Sequence, residues 1–274
     1  MKKDYQANSK GVVPYKIYQS ETVVDAIAHS CKRFAKNTAF SCLGVDLSYR
    51  ALDEKIQQVA YYLQHHLNLK KGDRVAIMMP NTMHYPIVLY GILRAGLVVV
   101  NVNPLFKAPE IHYQLKSSGA KAIFVLDLFA KTLKEALPKS DFPVVLCQLG
   151  DFHPLHKKIP LHTALFLKNK RGYYGFNNKV LFKTLLQKSQ KKRKIPPVVQ
   201  KQDLAFIQYT GGTTGRPKGV MLSHGNIMAN VVQTAKWNGP YWKLPECMLT
   251  ALPLYHIFAL MANLFAYSIN GSHN

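Results

Sequence analysis

From Tyr209 to Gly219 the chain reads YTGGTTGRPKG, which gathers four glycines, three threonines, an arginine and a lysine into eleven residues. Gly211, Gly212, Gly215 and Gly219 open backbone angles closed to other residues and let main-chain N–H groups approach an anion. Thr210, Thr213 and Thr214 add hydroxyl donors, and Arg216 and Lys218 add charge matched to phosphate oxygens. Apolar runs at 204–208 and 220–222 flank the segment, which predicts a loop held between two strands. A Walker A loop needs GxxxxGK[ST] opening a helix. Here Lys218 follows Pro217, and Gly219 stands where that motif has Ser or Thr. The chemistry that fits is a polyphosphate cradle of another kind; an ordinary hairpin turn needs only one or two glycines.

A second constellation is ALPLYHIFAL, residues 251–260. Residues 249–254 read as a strand closed by Pro253, and 257–265 as an apolar helix. His256 falls at the junction, where α/β folds present side chains to a ligand crevice. On its own residue type, His256 reads more readily as a core histidine bonded to a backbone carbonyl. The stretch 248–269 is apolar over a length that can cross a bilayer. Pro253, His256, Asn263 and Ser268 interrupt it, so a buried strand–helix unit is predicted. The adjacent pair His65-His66 points to different faces of a predicted helix and has no evident third ligand, so it reads as surface.

The elements that must position these groups follow from periodicity. Helical spacing begins near Thr22, with Val24, Ile27, Ala28, Cys31, Phe34 and Ala35 on one face. A helix over 49–67, capped by Ser48, carries a stripe of Leu52, Ile56, Val59, Ala60, Leu63 and Leu67. A turn at 71–73, a strand at 75–79, a helix at 83–94 and a strand at 97–102 make a βαβ unit, hence a parallel sheet. A helix at 109–118 with Gly119 as C-cap, a strand at 122–126, a helix at 129–137 and a strand at 144–149 continue the alternation. Prolines and lysines break the rhythm over 150–202, where one helix is predicted at 179–190. The fold class is α/β: open, mostly parallel sheets flanked by helices. The expected organisation is an arm at 1–21, a first α/β lobe at 22–149, a basic connector at 150–202, and a second lobe starting at 203 and incomplete at 274.

At 274 residues the chain can bury a sizeable core. Its 36 Lys and Arg against 14 Asp and Glu give +22, which favours an anionic partner: nucleic acid, membrane surface or polyphosphate. Basic residues crowd 156–194, with Tyr173, Tyr174 and Phe176 among them. No nucleic-acid-binding motif accompanies them, so no nucleic acid is expected; a solvated face or contact with anionic lipid headgroups fits better. Cys31, Cys42, Cys147 and Cys247 are widely spaced, with no CxxC pair. No signal-peptide pattern opens the chain. Free thiols in a cytoplasmic setting are expected.

The loop, with VMLSHGNI after it, resembles the phosphate-loop signature of the adenylate-forming acyl-CoA synthetases. LKKGDRVAIMMPN (69–81), GILRAGLVVVNVNPLF (91–106) and ALPLYHIFAL are similar, in the same order, to the bacterial long-chain fatty acyl-CoA ligases. The resemblance runs from about residue 22 to about residue 271 and is weakest over 152–197. It implies a two-step reaction: a long-chain fatty acid attacks the α-phosphate of Mg·ATP to give acyl-adenylate, and the CoA thiol then displaces AMP. It implies ATP, Mg2+ and CoA as the small molecules. It assigns the phosphates to Tyr209, Thr210, Gly211, Gly212, Thr213, Thr214, Gly215, Lys218 and Gly219, and catalysis to His256, Thr214 and Lys218. It assigns the acyl pocket to Tyr255, His256, Ile257 and Leu260, where some relatives carry an aromatic gate at the Leu260 position. The family continues well past residue 274, with adenine, magnesium and ribose ligands and a catalytic lysine downstream. The expectation is therefore a truncated ligase, inactive alone or dependent on a complementing C-terminal polypeptide, cytoplasmic, with peripheral contact on the cytoplasmic face of the inner membrane left open. A non-enzymatic nucleotide- or membrane-binding remnant is the alternative.

Overall fold

The computed structural model describes residues 20–138, 141–154, 163, 175–190, 199–211, 216–238 and 246–274. A small antiparallel hairpin, β1 (Thr38–Cys42) and β2 (Val45–Ser48), stands apart from the main sheet. The main sheet is built from β3 (Arg74–Met78), β4 (Val98–Asn101), β5 (Ala120–Leu126), β6 (Val144–Cys147), β7 (Lys179–Leu181), β8 (Leu204–Thr210) and β9 (Lys218–Ser223). Their spatial order is β7-β6-β5-β3-β4-β8-β9. Every pairing is parallel except β8 with β9.

The near-unbroken apolar runs of the central strands are what a sheet covered on both faces requires. Val75 and Ile77 of β3 join one core cluster, and Ala76 and Met78 join the other. Helices α1 (Val23–Arg33), α2 (Tyr49–His65), α3 (His84–Arg94), α6 (Phe182–Lys188) and α7 (His224–Asn238) cover the first face. Helices α4 (Ala108–Ser118) and α5 (Ala130–Ala136) cover the second. The α2 stripe is buried as its spacing predicts: Leu52, Ile56, Val59, Ala60 and Leu63 are at most 1% exposed. Each large aliphatic so buried contributes ~1.5–3 kcal/mol. Gly91 of α3 lets α2 lie close against it, because a Cβ there would meet Val59 Cγ1 at 2.5 Å.

Local signals hold in detail. Thr22 Oγ1 accepts from the Asp25 amide and caps α1, and Ser48 Oγ accepts from Ala51 and caps α2. Gly119 ends α4 in the left-handed region at φ 62°.

One expectation is corrected, and the structure adds features that the sequence did not show. Residues 249–254 form no strand. Pro253 offers no donor, and the Asn81 side chain takes up the local backbone groups instead: Nδ2 donates to Thr250 O and Leu252 O at 2.9 and 2.8 Å, and Oδ1 accepts from Leu254 N at 2.8 Å. Within 150–202, β7 pairs with β6 and α6 packs Phe182 and Leu185 into the core. The hairpin β1–β2, not foreseen, turns through Leu43 and Gly44 at φ 51° and 74°, the positive-φ pair that a tight hairpin needs. The strand after position 203 also pairs directly with β4, so the sheet passes through that position without a gap. The N-terminal arm and most of the basic stretch lie outside the described residues.

The last helix starts as Ile257–Ala259, widens into a π-turn over Leu260–Phe265 and closes as Ala266–Ser268. No helix among the described residues is long and apolar enough to cross a membrane. Phe265 packs edge-on against Tyr90 and Phe206. The Tyr49 hydroxyl donates to Ser268 O and Ser272 O, and Asn274 bridges to β1 through Ala39 O and Ser41 N. Leu249, Leu252 and Phe258 remain exposed.

Candidate active site

Strand β8 brings the glycine- and threonine-rich loop to the end of the sheet. Thr210 and Lys218 are partners in the β8–β9 ladder, so the loop closes from one to the other. Gly212, Thr213, Thr214 and Gly215 lie outside the described residues. Gly211 and Lys218 are exposed at its two ends, and open space surrounds the position of a Gly211 Cβ. Gly219 has a packing reason for lacking a side chain: its Cβ would meet Ile207 Cγ2 at 2.7 Å.

Helix α4 holds the base of this loop. The Tyr113 hydroxyl donates to Pro217 O at 3.2 Å, and the Arg216 guanidinium lies over the Tyr113 ring at 5.7 Å. The Tyr209 hydroxyl is within 2.5 Å of Ser117 Oγ and 3.4 Å of Gln114 O. Tyr209, assigned to the phosphates by the motif, is therefore engaged through its hydroxyl by α4. After the loop, Ser223 and Asn226 form a reciprocal cap on α7: Ser223 N donates to Asn226 Oδ1 at 2.9 Å, and Asn226 N to Ser223 Oγ at 3.2 Å. The SHGN sequence is thus the start of a helix that leads away from the loop.

His256 opens the last helix at φ −101°, ψ 135°, and is exposed, so it is not the core histidine its residue type suggested. Its amide donates to Pro253 O and its carbonyl accepts from Leu260 N, both at 3.0 Å. Tyr255 and Ile257 are partly buried and Leu260 is fully buried in the core. The two motifs meet through one side chain: Gln208 Nε2 donates to Tyr255 O at 3.1 Å. Gln208 Oε1 accepts from Asn101 Nδ2 at 3.1 Å, and the Tyr85 hydroxyl contacts Asn101 Oδ1 at 2.9 Å and Leu254 O at 2.7 Å. Sequence reasoning missed Asn81, Tyr85, Asn101 and Gln208. For Asn101 and Gln208 the one signal was a polar residue interrupting an apolar run; Tyr85 is only an aromatic in an apolar helix.

His224, at the base of α7, is buried. Burial pushes its pKa down to about 4, against the opposing charges of Asp203 and Asp25. Lys71 reaches Asp203 at 2.6 Å and ties the turn before β3 to the start of β8. Among the described residues, no three His, Cys, Asp or Glu form a group able to hold a metal ion. All four cysteines are free. Among the described residues, the arrangement provides a short antiparallel ribbon with Gly211 and Lys218 exposed where the loop attaches, and a histidine-bearing helix start bonded to the same strand. Such a site suits binding of phosphoryl oxygens beside a second, neutral or anionic group.

The AMP-binding enzyme family pattern matches residues 27–274. The long-chain-fatty-acid–CoA ligase of Salmonella typhimurium is 42% identical over 260 residues, which cover 94% of this chain and 46% of that protein. The corresponding ligase of Bacillus subtilis is 33% identical over 273 residues, 97% of this chain and 48% of that protein. The chain thus spans about half the length of these curated relatives. Among solved structures, the anthranilate CoA ligase AuaEII in complex with anthranoyl-AMP superposes with a TM-score of 0.72 at 19% identity, covering 92% of this chain and 44% of that one. A benzoate CoA ligase from Burkholderia xenovorans gives 0.68 at 20% identity, over 90% of this chain and 44% of its own.

Proposed function

Since the chain belongs to the AMP-binding enzyme family, we propose that it carries the polyphosphate- and carboxylate-handling part of an AMP-forming long-chain fatty acid–CoA ligase. In this reading Mg·ATP is the substrate, and the loop from Thr210 to Lys218 grips its β- and γ-phosphates. The backbone N–H groups of the glycines, the threonine hydroxyls and the Lys218 ammonium are the donors. A fatty carboxylate oxygen attacks the α-phosphorus, the bond to the β-phosphate oxygen breaks, and pyrophosphate leaves. The CoA sulfur then attacks the acyl carbon and AMP departs. The work of the protein in such transfers is positioning and electrostatic stabilisation.

The observation that carries this reading is the bond from Gln208 to Tyr255 at 3.1 Å. It sets the loop-bearing strand against the Tyr255–His256 junction, so phosphate and carboxylate ends of a reacting pair have adjacent supports. His256, exposed at a helix start, is the group within this chain suited to meet the carboxylate or the developing charge on the α-phosphate.

The test is fatty-acid-dependent exchange of labelled pyrophosphate into ATP. It is run with the chain alone and with a polypeptide covering the remaining length of a relative. Exchange that disappears in a Thr214→Ala, Lys218→Ala double variant supports the reading. A folded chain that neither binds ATP nor exchanges in either setting overturns it.

A further inference from the structure

We infer that Cys247 is a modification site, a thiol activated by His273 that takes up low-molecular-weight thiols from their disulfides. The inference is independent of the function just proposed. Backbone pairing brings the groups together. Met248 N donates to His273 O at 2.7 Å and His273 N donates to Glu246 O at 2.8 Å, so Cys247 and His273 lie side by side in a parallel bridge. On the other side, Asn274 N donates to Ala39 O and Ser41 N donates to Asn274 O, which seats the same segment against β1. The His273 ring reaches both neighbours. Its Nδ1 is 3.7 Å from Cys247 Sγ and its Nε2 is 2.6 Å from Ser41 Oγ. Ser41 Oγ in turn donates to Asp46 Oδ1 across the hairpin.

The far end of this relay fixes its polarity. The Asp46 carboxylate only accepts, so the single hydroxyl proton of Ser41 is given to it. Ser41 Oγ must then accept from His273, which puts the ring proton on Nε2 and leaves Nδ1 bare toward the thiol. Nδ1 is therefore the atom that takes the Cys247 proton, and the imidazolium so formed is held by Ser41 and, through it, by the charge of Asp46. Cys247 is exposed, so a small reagent can reach the sulfur. The other three thiols are poor nucleophiles by comparison. Burial pushes Cys31 up to about 12, raises Cys147 well above the ordinary range and raises the partly buried Cys42 as well.

In the exchange, the Cys247 proton passes to His273 Nδ1 and the thiolate attacks one sulfur of R–S–S–R. The S–S bond of the reagent breaks as the new Sγ–S bond forms, and the leaving thiolate takes the proton from His273 and departs as R–SH. The reagent disulfide is the oxidant: Cys247 ends as a mixed disulfide and the departing half is reduced.

The experiment treats the full chain at neutral pH with dithiodipyridine, a neutral aromatic disulfide whose released half absorbs light. The labelled cysteine is located by peptide mass spectrometry. One fast equivalent is expected, on Cys247, at a rate roughly three- to tenfold above that of the same cysteine in the urea-unfolded chain. Cys247→Ser loses the fast phase. His273→Gln brings Cys247 down to the unfolded rate. Asp46→Asn keeps an acceptor for Ser41 and lies away from the sulfur, yet slows the reaction by about twofold or more through the lost charge. A cysteine that is merely exposed would not respond to that last change. If His273→Gln fails to melt cooperatively, Ser41→Ala takes its place and is expected to slow the reaction likewise. Folded and unfolded rates that agree overturn the inference, as do unchanged rates in both His273→Gln and Asp46→Asn, or a fast phase that persists in Cys247→Ser. Oxidised glutathione in place of the probe is expected to add one glutathionyl group at Cys247, and a chain that gains none overturns the assignment to low-molecular-weight thiols.

Discussion

The Tyr113 hydroxyl donates to the Pro217 carbonyl at 3.2 Å, and the ring of the same residue lies under the Arg216 guanidinium at 5.7 Å. One side chain of α4 thus secures two consecutive residues, Arg216 and Pro217, on the arm of the glycine- and threonine-rich loop that leads into β9. Tyr113→Phe keeps the ring and loses the hydrogen bond; Tyr113→Ala loses both. ATP binding measured by titration calorimetry is expected to weaken by ~1 kcal/mol in the first variant and ~1.5–2 kcal/mol in the second. Unchanged affinity in Tyr113→Ala would show that the loop arm sets itself.

Gly219 pairs with Tyr209 in the β8–β9 ribbon, and a Cβ there would lie 2.7 Å from Cγ2 of the diagonal neighbour Ile207. Gly219→Ala is expected to destabilise the fold by ~1–3 kcal/mol through overpacking. A double variant with Ile207→Ala is expected to recover most of that loss. Urea denaturation of the two variants decides the matter; no recovery would locate the strain elsewhere.

His224 is kept neutral in the folded chain, its pKa pushed by burial from 6.5 to about 4. Between those values the unfolded chain binds a proton that the folded chain does not. Stability therefore falls as the pH drops from about 6.5 toward about 4, by up to ~3 kcal/mol. Melting temperatures across this range test it. In His224→Gln the part of the slope due to this residue disappears, and an unaltered slope in that variant would assign the acid sensitivity to other groups.

Asn81 makes three hydrogen bonds to the backbone between Thr250 and Leu254. This segment has no strand partner, and Leu249 and Leu252 on it are exposed. Asn81→Ala is expected to free the segment, at ~2–3 kcal/mol for the bonds lost. Limited proteolysis should then cut within 248–253 faster by about an order of magnitude, with cleavage elsewhere unchanged. Equal cutting in both chains would mean that the terminal helix alone holds the segment.

The parts of the fold that depend on neighbours in sequence were legible. Ser48 capping α2, Gly119 ending α4 and the two apolar runs around YTGGTTGRPKG could be read because each signal and its effect lie within a few residues. The parts that depend on distant partners were not. Residues 249–254 have an apolar composition compatible with a strand, and nothing local reveals that Asn81 takes their backbone groups. Tyr85 reaches Leu254 across 169 positions, and in sequence it is only an aromatic in an apolar helix. Strand β7 is three residues long, exposed at both ends and half-buried in the middle, and it exists because the open side of β6 accepts it. The candidate site shows the same division. Its loop was visible from residue types, whereas the amides that join the loop to the histidine were hidden among hydrophobic neighbours.

The place of β8 in the sheet has a consequence for how the polypeptide matures. Strands β3 to β6 form from sequence between Arg74 and Cys147, yet the neighbour that completes the other side of β4 begins only at Leu204. During synthesis the first four of these strands can assemble while the hydrogen-bonding groups of β4 stay bare, until some fifty to sixty further residues have emerged. At ~5–20 residues per second that interval lasts several seconds. A naked, largely apolar parallel edge is a template for wrong partners. The last strand pair to join is also the one that flanks the glycine- and threonine-rich loop, so recovery of folded protein and completion of the proposed nucleotide site are set by the same late docking event.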